Sequence, residues 1–185
     1  MNIKTIILDF IRIINHNSWV FLVFTMVLFL QCKKEDNYLY EGRFETDFVI
    51  PAGLSTILTH YITIRNVYTD ASRNATNNGQ DVQNLKSVQA SFGRMFTLEA
   101  GNDLDFIQEL SVTLISRTNP NLKIEMYYSE FVPFTVDNEI RLQSGSLELK
   151  EILKDDYVDI EIRMNLRNFV PNTIKTRLNM SYIVL

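Results

Sequence analysis

The chain has 185 residues, 46% of them hydrophobic, with 18 Lys and Arg against 22 Asp and Glu and a formal net charge of −4. That length suits one ordinary domain beside a targeting segment, and mild acidity without a basic block after Lys34 excludes a nucleic-acid partner, which needs clustered Lys and Arg. One cysteine and two histidines exclude an internal disulfide framework and zinc sites built from Cys or several His.

In chain order, the first feature is the near-apolar run at residues 19–30, interrupted only by Thr25. It fits the apolar region of an export signal and falls short of the roughly 20 residues that span a bilayer. Lys4 and Arg12 supply a positive region ahead of it, long and containing Asp9; a true start downstream of Met1 would shorten it. Cys32, the only cysteine, follows, and then the charged Lys33, Lys34, Glu35 and Asp36.

From Phe29 to Cys32 the segment resembles a bacterial lipoprotein signal, in which the cysteine becomes the first mature residue and carries acyl chains. Phe29 and Gln31 stand where that pattern prefers Leu and a small residue, and Bacteroidetes-type lipoproteins resemble this chain in tolerating such departures. Lys33-Lys34-Glu35-Asp36 is similar to the Lys-plus-acidic signal that accompanies surface display in several of them. The resemblance covers the first 36 residues. It implies an outer-membrane lipoprotein facing the cell exterior, with covalent acyl lipid on Cys32 and no other cofactor. Each buried acyl methylene contributes about 0.8 kcal/mol and one chain holds only marginally, so stable anchoring takes two or more. An uncleaved N-terminal anchor and a plain secretory peptide with an incidental cysteine are the other readings of the same residues.

The expected organisation is a signal peptide at 1–31, a lipid-anchored tether at 32–42 and a domain at 43–185. Removing 1–31 takes Lys4, Arg12 and Asp9, leaving 16 basic and 21 acidic side chains and a net charge of −5. After lipidation no free thiol remains for nucleophilic chemistry.

Within the domain, residues 42–50 alternate Phe44, Thr46, Phe48 and Ile50 against Glu45 and Asp47, a half-buried strand. Pro51 and Gly53 end it. Residues 57–68 are rich in β-branched and aromatic side chains and predict a strand with Leu58, His60, Ile62 and Ile64 on one face. Residues 70–80 lack apolar periodicity and predict the longest loop, a place for binding or for variable decoration. A strand follows at 85–98 with a bend at Gly93, then one helical turn at 104–107 capped by Asn102 or Asp103. Residues 110–116 and 122–128 predict a hairpin around Pro120. Pro133 marks an edge or crossover, 139–142 a short strand, and 147–154 one or two turns of amphipathic helix. Residues 157–167 alternate strictly, Val158, Ile160, Ile162, Met164 and Leu166 against Asp159, Glu161, Arg163, Asn165 and Arg167. A last strand spans 174–185. Seven to nine short strands without long helices predict one antiparallel β-sandwich, Greek-key or immunoglobulin-like, with one or two short helical turns.

Few residues offer chemistry. His60 is the only imidazole after the signal, expected as a structural histidine on an apolar face, and no Gly-x-Ser-x-Gly elbow exists for a serine triad. Asp155, Asp156 and Asp159 form the densest carboxylate cluster and are the candidate for a loop-built calcium site, without the spacing of a calcium loop. A carboxylate-based hydrolase would need a facing pair across a cleft. Tyr127, Tyr128, Phe131 and Phe134 are the exposed-aromatic candidates for ligand binding, because neighbouring strand residues point to opposite sides. The reading is therefore a non-catalytic binding or accessory module for another envelope protein, marked by an exposed apolar patch. The alternative is a carbohydrate-binding module of a glycan-uptake system, which needs two or three coplanar exposed aromatics.

Overall fold

The computed structural model describes residues 38–185, so the signal segment, Cys32 and Lys33 to Asp36 lie outside the described residues. Eight strands follow in order: β1 (Tyr40–Ile50), β2 (His60–Tyr68), β3 (Val88–Thr97), β4 (Ile107–Ser116), β5 (Lys123–Ser129), β6 (Glu139–Ser144), β7 (Tyr157–Leu166) and β8 (Ile174–Val184). Two short helices, α1 (Ala71–Asn77) and α2 (Lys150–Leu153), sit in connectors. Among the described residues, no helix is long and apolar enough to cross a membrane.

The strands are antiparallel, in spatial order β1-β8-β3-β6-β5-β4-β7-β2. Read as halves, β1-β8-β3-β6 and β5-β4-β7-β2 form the two sheets of a jelly roll, a doubled Greek key. The antiparallel β expectation holds, while the strand order differs from the immunoglobulin one. Only β4 and β5 are consecutive strands paired by a tight turn, where Ser116 N–H donates to the Leu122 carbonyl at 3.0 Å. Other connectors carry the chain from one sheet to the other.

Period-two patterning places the core between the halves. Val158, Ile160, Ile162, Met164 and Leu166 of β7 are buried, as are Ile174, Leu178, Met180, Tyr182 and Val184 of β8. Each such aliphatic side chain contributes about 1.5–3 kcal/mol by leaving water. Two close approaches shape the stack. A Cβ on Gly42 would lie 2.1 Å from the Tyr182 ring, and one on Gly93 would lie 2.6 Å from the Tyr127 ring.

Local expectations shift in three places. β1 begins at Tyr40, so the end of the expected tether is already strand, with Tyr40 buried. Residues 71–77 are helix rather than loop, because Ala71 and Ala75, one turn apart, turn their methyls into the core. Residues 104–107 form a turn leading into β4, not a helical turn.

Candidate functional site

Register sorts the strand ends into two groups. β1 ends at Ile50 opposite Ile174, β7 ends at Leu166 opposite Ile107, and β3 ends at Thr97 opposite Thr176. Phe96 faces Glu139 at the start of β6, and Leu110 faces Ser129 at the end of β5. Four connectors, 51–59, 98–106, 130–138 and 167–173, therefore gather at one end of the sandwich.

Backbone hydrogen bonds lash these connectors together. Gly53 N–H donates to the Val170 carbonyl at 3.0 Å, Leu104 N–H to Asp137 at 2.7 Å, and Arg167 N–H to Phe106 at 2.9 Å. Buried Leu104, Phe106, Val132 and Val170 plug the space beneath. Above this base the same connectors hold large apolar side chains in water: Ile57 at 90% exposure, Phe134 at 69%, and Leu58, Phe131 and Phe169 all above 60%. We call this end the crown. Ile57 and Leu58 belong to it because β2 starts at His60, later than the periodicity predicts. His60 is half-buried there, its Nε2 2.7 Å from the Ser55 carbonyl, the structural role expected of it.

Arg167 organises the crown's aromatic half. Its Cζ stands 4.1 Å from the Phe134 ring centroid and 5.3 Å from that of Phe131. Nη2 donates to the Val132 carbonyl. Nε and Nη1 are buried without a hydrogen-bond partner. The two aromatic rings stand in for acceptors, holding the cation by its attraction to their negative faces. The rings themselves meet edge to face, 5.8 Å apart at 69°.

The four aromatics singled out in the sequence do not form one site. Tyr127 points inward and is fully buried. Its hydroxyl reaches the carbonyls of Ser181 at 2.5 Å and Phe92 at 2.9 Å and accepts from Ser181 N–H at 2.9 Å. Burial pushes its phenol well above the ordinary tyrosine value. Tyr127 is thus a staple between β5, β3 and β8, and its candidacy as a ligand contact is corrected. Tyr128 points outward but sits half-buried on the flat of the sheet, beside Glu109, Glu125, Glu130 and Arg163 in a depression of about 220 Å³. Phe131 and Phe134 alone belong to the crown. Arg167 and Phe169 were missed, Arg167 because it completes the polar half of the β7 alternation. The Arg167-Asn168-Phe169 sequence beside a turn was the available signal.

The carboxylate candidates also separate. Asp155 accepts from the Thr118 hydroxyl at 2.7 Å, Asp156 from Ser72 N–H at 2.9 Å, and Asp159 from Asn66 N–H at 2.8 Å. Each ties down a different segment, Asp159 holding the β2 bulge where Asn66 adopts a φ of 66°. The calcium candidate is therefore corrected: among the described residues, no group of three His, Cys, Asp or Glu is placed to hold a metal ion.

A groove of about 440 Å³ crosses the outer face of β1, β8 and β3. Its charges are paired within it or with neighbours on the same face: Arg43 with Glu41 at 3.1 Å, Arg94 with Glu139 at 3.3 Å, and Glu45 with Arg177 at 3.3 Å, which also holds Asp47 at 2.6 Å. The guanidinium hydrogen bonds hold the carboxyls of Glu41 and Asp47 below the usual range. This face is a solvated charge ladder.

No family model matches the chain, and no curated protein matches it. Among solved structures, it is similar to the crystal structure of decameric BFDV capsid protein, at 11% identity, covering 79% of this chain and 99% of that one with a TM-score of 0.29. A likeness at that level carries no argument for what this chain does.

Proposed function

We propose that this chain is an exported, lipid-anchored, non-catalytic module of a bacterial envelope, held at the outer membrane through Cys32 and facing outward, that binds another envelope component through the crown. One observation carries the binding reading: five large apolar side chains stand in water at a single end, on a base fixed by backbone hydrogen bonds. Exposed apolar patches rimmed by polar residues mark interaction surfaces, and connectors on a rigid β scaffold are where binding usually resides. The described chain starts at Tyr38, beside Leu185 at the opposite end, where Leu39 N–H donates to the Val184 carbonyl.

The edge-to-face rings of Phe131 and Phe134 favour a protein partner over the glycan alternative. A sugar stacks on a flat platform, and two rings at 69° do not make one. The address rests on the Cys32 region and is tested separately from the binding.

Fractionation of cells expressing wild type and Cys32→Ala tests the anchor: the wild type is expected in the outer membrane and shaved by protease from intact cells, the variant released. Retention of Cys32→Ala in the membrane would overturn the lipid anchor. For binding, a photoreactive amino acid at Phe134 is expected to give a discrete crosslinked band on cells, and one at Leu147, exposed at the other end, none. Equal crosslinking from both positions would sink the crown as the binding surface.

A further inference from the structure

Resting on that reading, we infer that the crown's partner is a protein face that sets apolar side chains beside lysine and arginine. The four crown connectors carry five carboxylates, Glu99, Asp103, Asp105, Glu130 and Asp137, against one guanidinium, Arg167. All five carboxylates are exposed. Among the described residues only Glu99 has an ion-pair partner, Lys175 at 3.2 Å. Arg167 does not offset them outwardly, because its guanidinium is covered by Phe131 and Phe134 and directed at the Val132 carbonyl. The crown thus sets exposed apolar side chains beside two acidic connectors, on which four of the five carboxylates have no ion pair among the described residues.

Such a surface selects by charge. Complementary potentials steer encounter and suppress wrong partners, and like charges brought face to face cost several kcal/mol. A second copy would set carboxylates against carboxylates. An anionic bilayer would meet the same repulsion. A protein surface with Lys and Arg beside apolar anchors meets both features at once, its cations facing the hydrated carboxylates while aromatic and aliphatic groups cover the exposed apolar side chains. The carboxylates are spread along two of the four connectors, 98–106 and 130–138, and among the described residues no three of them are placed to hold a metal ion, so the charge serves a surface and not an ion.

The test uses the full-length chain in nanodiscs as the target for a phage-displayed random peptide library, with Ile57→Ser/Phe134→Ser as the counter-selection target. Peptides that require the wild-type crown are expected to carry apolar residues flanked by Lys or Arg. A synthetic copy of one is expected to bind about tenfold more weakly when NaCl is raised from 50 to 300 mM. The triple variant Asp103→Asn/Glu130→Gln/Asp137→Asn is expected to show the same loss at low salt with unchanged circular dichroism. Crown-dependent peptides that are uncharged or acidic, or binding indifferent to salt, would overturn the partner's chemistry while leaving the crown as the binding surface. Failure to recover any peptide that distinguishes wild type from the double variant would overturn the crown itself. Sedimentation showing a dimer that Ile57→Ser/Phe134→Ser dissociates would make a second copy the occupant and overturn the inference.

Discussion

The two ends of the sandwich are built from the same kind of material, connectors between strands, and are finished differently. At the end away from the crown, the connectors 69–87, 117–122 and 145–156 hold α1 and α2, and every carboxylate in them has a partner. Asp70 pairs with Arg73, Glu151 with Lys154 and Asp155 with Thr118, Asp156 receives Ser72 N–H, Asp81 receives Gln83 N–H, and Glu148 gathers Ser87, Val88 and Lys150. At the crown, backbone bonds close the base but the large apolar groups stay in water, and four of the five carboxylates lack an ion pair among the described residues. Folding alone accounts for the paired carboxylates of the first end. It does not account for the second, because exposed apolar area contributes nothing to stability and unpaired like charges oppose it. The contrast makes a simple claim: changes at the closed end are felt as stability, and changes on the crown's surface are felt as binding.

The largest expected effect belongs to Tyr182. Its ring packs directly over Gly42, where a Cβ would leave no room, and its hydroxyl accepts from Asn74 of α1 at 3.3 Å. Tyr182→Ala is expected to destabilise by about 3–5 kcal/mol in urea unfolding, as large-to-small changes of buried aromatics do. Burial pushes the Tyr182 phenol up to about 12, from an ordinary value of 10.0. The folded chain keeps that proton where the unfolded chain has lost it. Tyr182 therefore contributes its full share below about pH 10, and that share is lost as pH rises through about 12. Tyr182→Phe is expected to unfold less steeply in alkali than wild type; an identical alkaline profile would refute the assignment.

Glu148 comes next. Its Oε1 accepts from Val88 N–H at 2.6 Å and Lys150 N–H at 3.1 Å, and its Oε2 accepts from the Ser87 hydroxyl at 2.6 Å, so it sews α2 to the start of β3. Burial works against its charge, yet the bonds from Ser87, Val88 and Lys150 together hold the carboxyl below the usual range. Glu148→Ala is expected to cost about 1 kcal/mol at neutral pH, discounted for the group's exposure. With a depressed folded-state pKa, the contribution is present above the ordinary value of 4.5 and lost as pH falls. The gap between wild type and variant in thermal melts should close in acid. A gap independent of pH would mean the carboxylate is not the operative group.

The two ends also differ in how far they could be read in advance. Strands announce themselves by period: β7, with Val158 to Leu166 inward, was legible to within one residue, and so were β5 and the end of β4, although β4 starts at Ile107, three residues before the predicted strand. Strand order was not, because alternation says which face is buried and nothing about which strand lies alongside. The crown depends on strand order, since residues 57, 131 and 169 come to the same end only when four crossover connectors share it. Alternation also fixed that Tyr127 and Tyr128 face opposite ways without saying which faces in. The helix α1 hid because its buried stripe is two alanines, too small to register as apolar periodicity.

Arg167 offers a test between the two kinds of end, since it is part of the crown's scaffold and not its surface. Arg167→Met keeps an unbranched stem and removes the cation, and is expected to cost about 1 kcal/mol, the range of a partly desolvated cation–π contact. Loosening of residues 130–138 should appear as faster amide hydrogen exchange at Val132 and Val136. No change in either quantity would show that the rings hold themselves.

The smallest expected effect on stability is the one that decides the comparison. Ile57 is 90% exposed in a connector without charge, and its side chain contributes little to the core. Surface substitutions away from special features fall within about 0.5 kcal/mol. Ile57→Ser is therefore expected to leave the urea midpoint in place, and removing an exposed apolar group slightly favours solubility of the free chain. If the crown is a binding surface, the same substitution weakens partner capture: crosslinking through a photoreactive group at Phe134 is expected to drop several-fold on cells, because an apolar contact in an interface excludes water from its neighbours. A variant that keeps both its stability and its crosslinking would show that Ile57 is decoration, and would confine the surface to the aromatic half around Arg167. A variant that loses stability instead would place Ile57 with the closed end's residues, and the division between the two ends would have to be redrawn at the 51–59 connector.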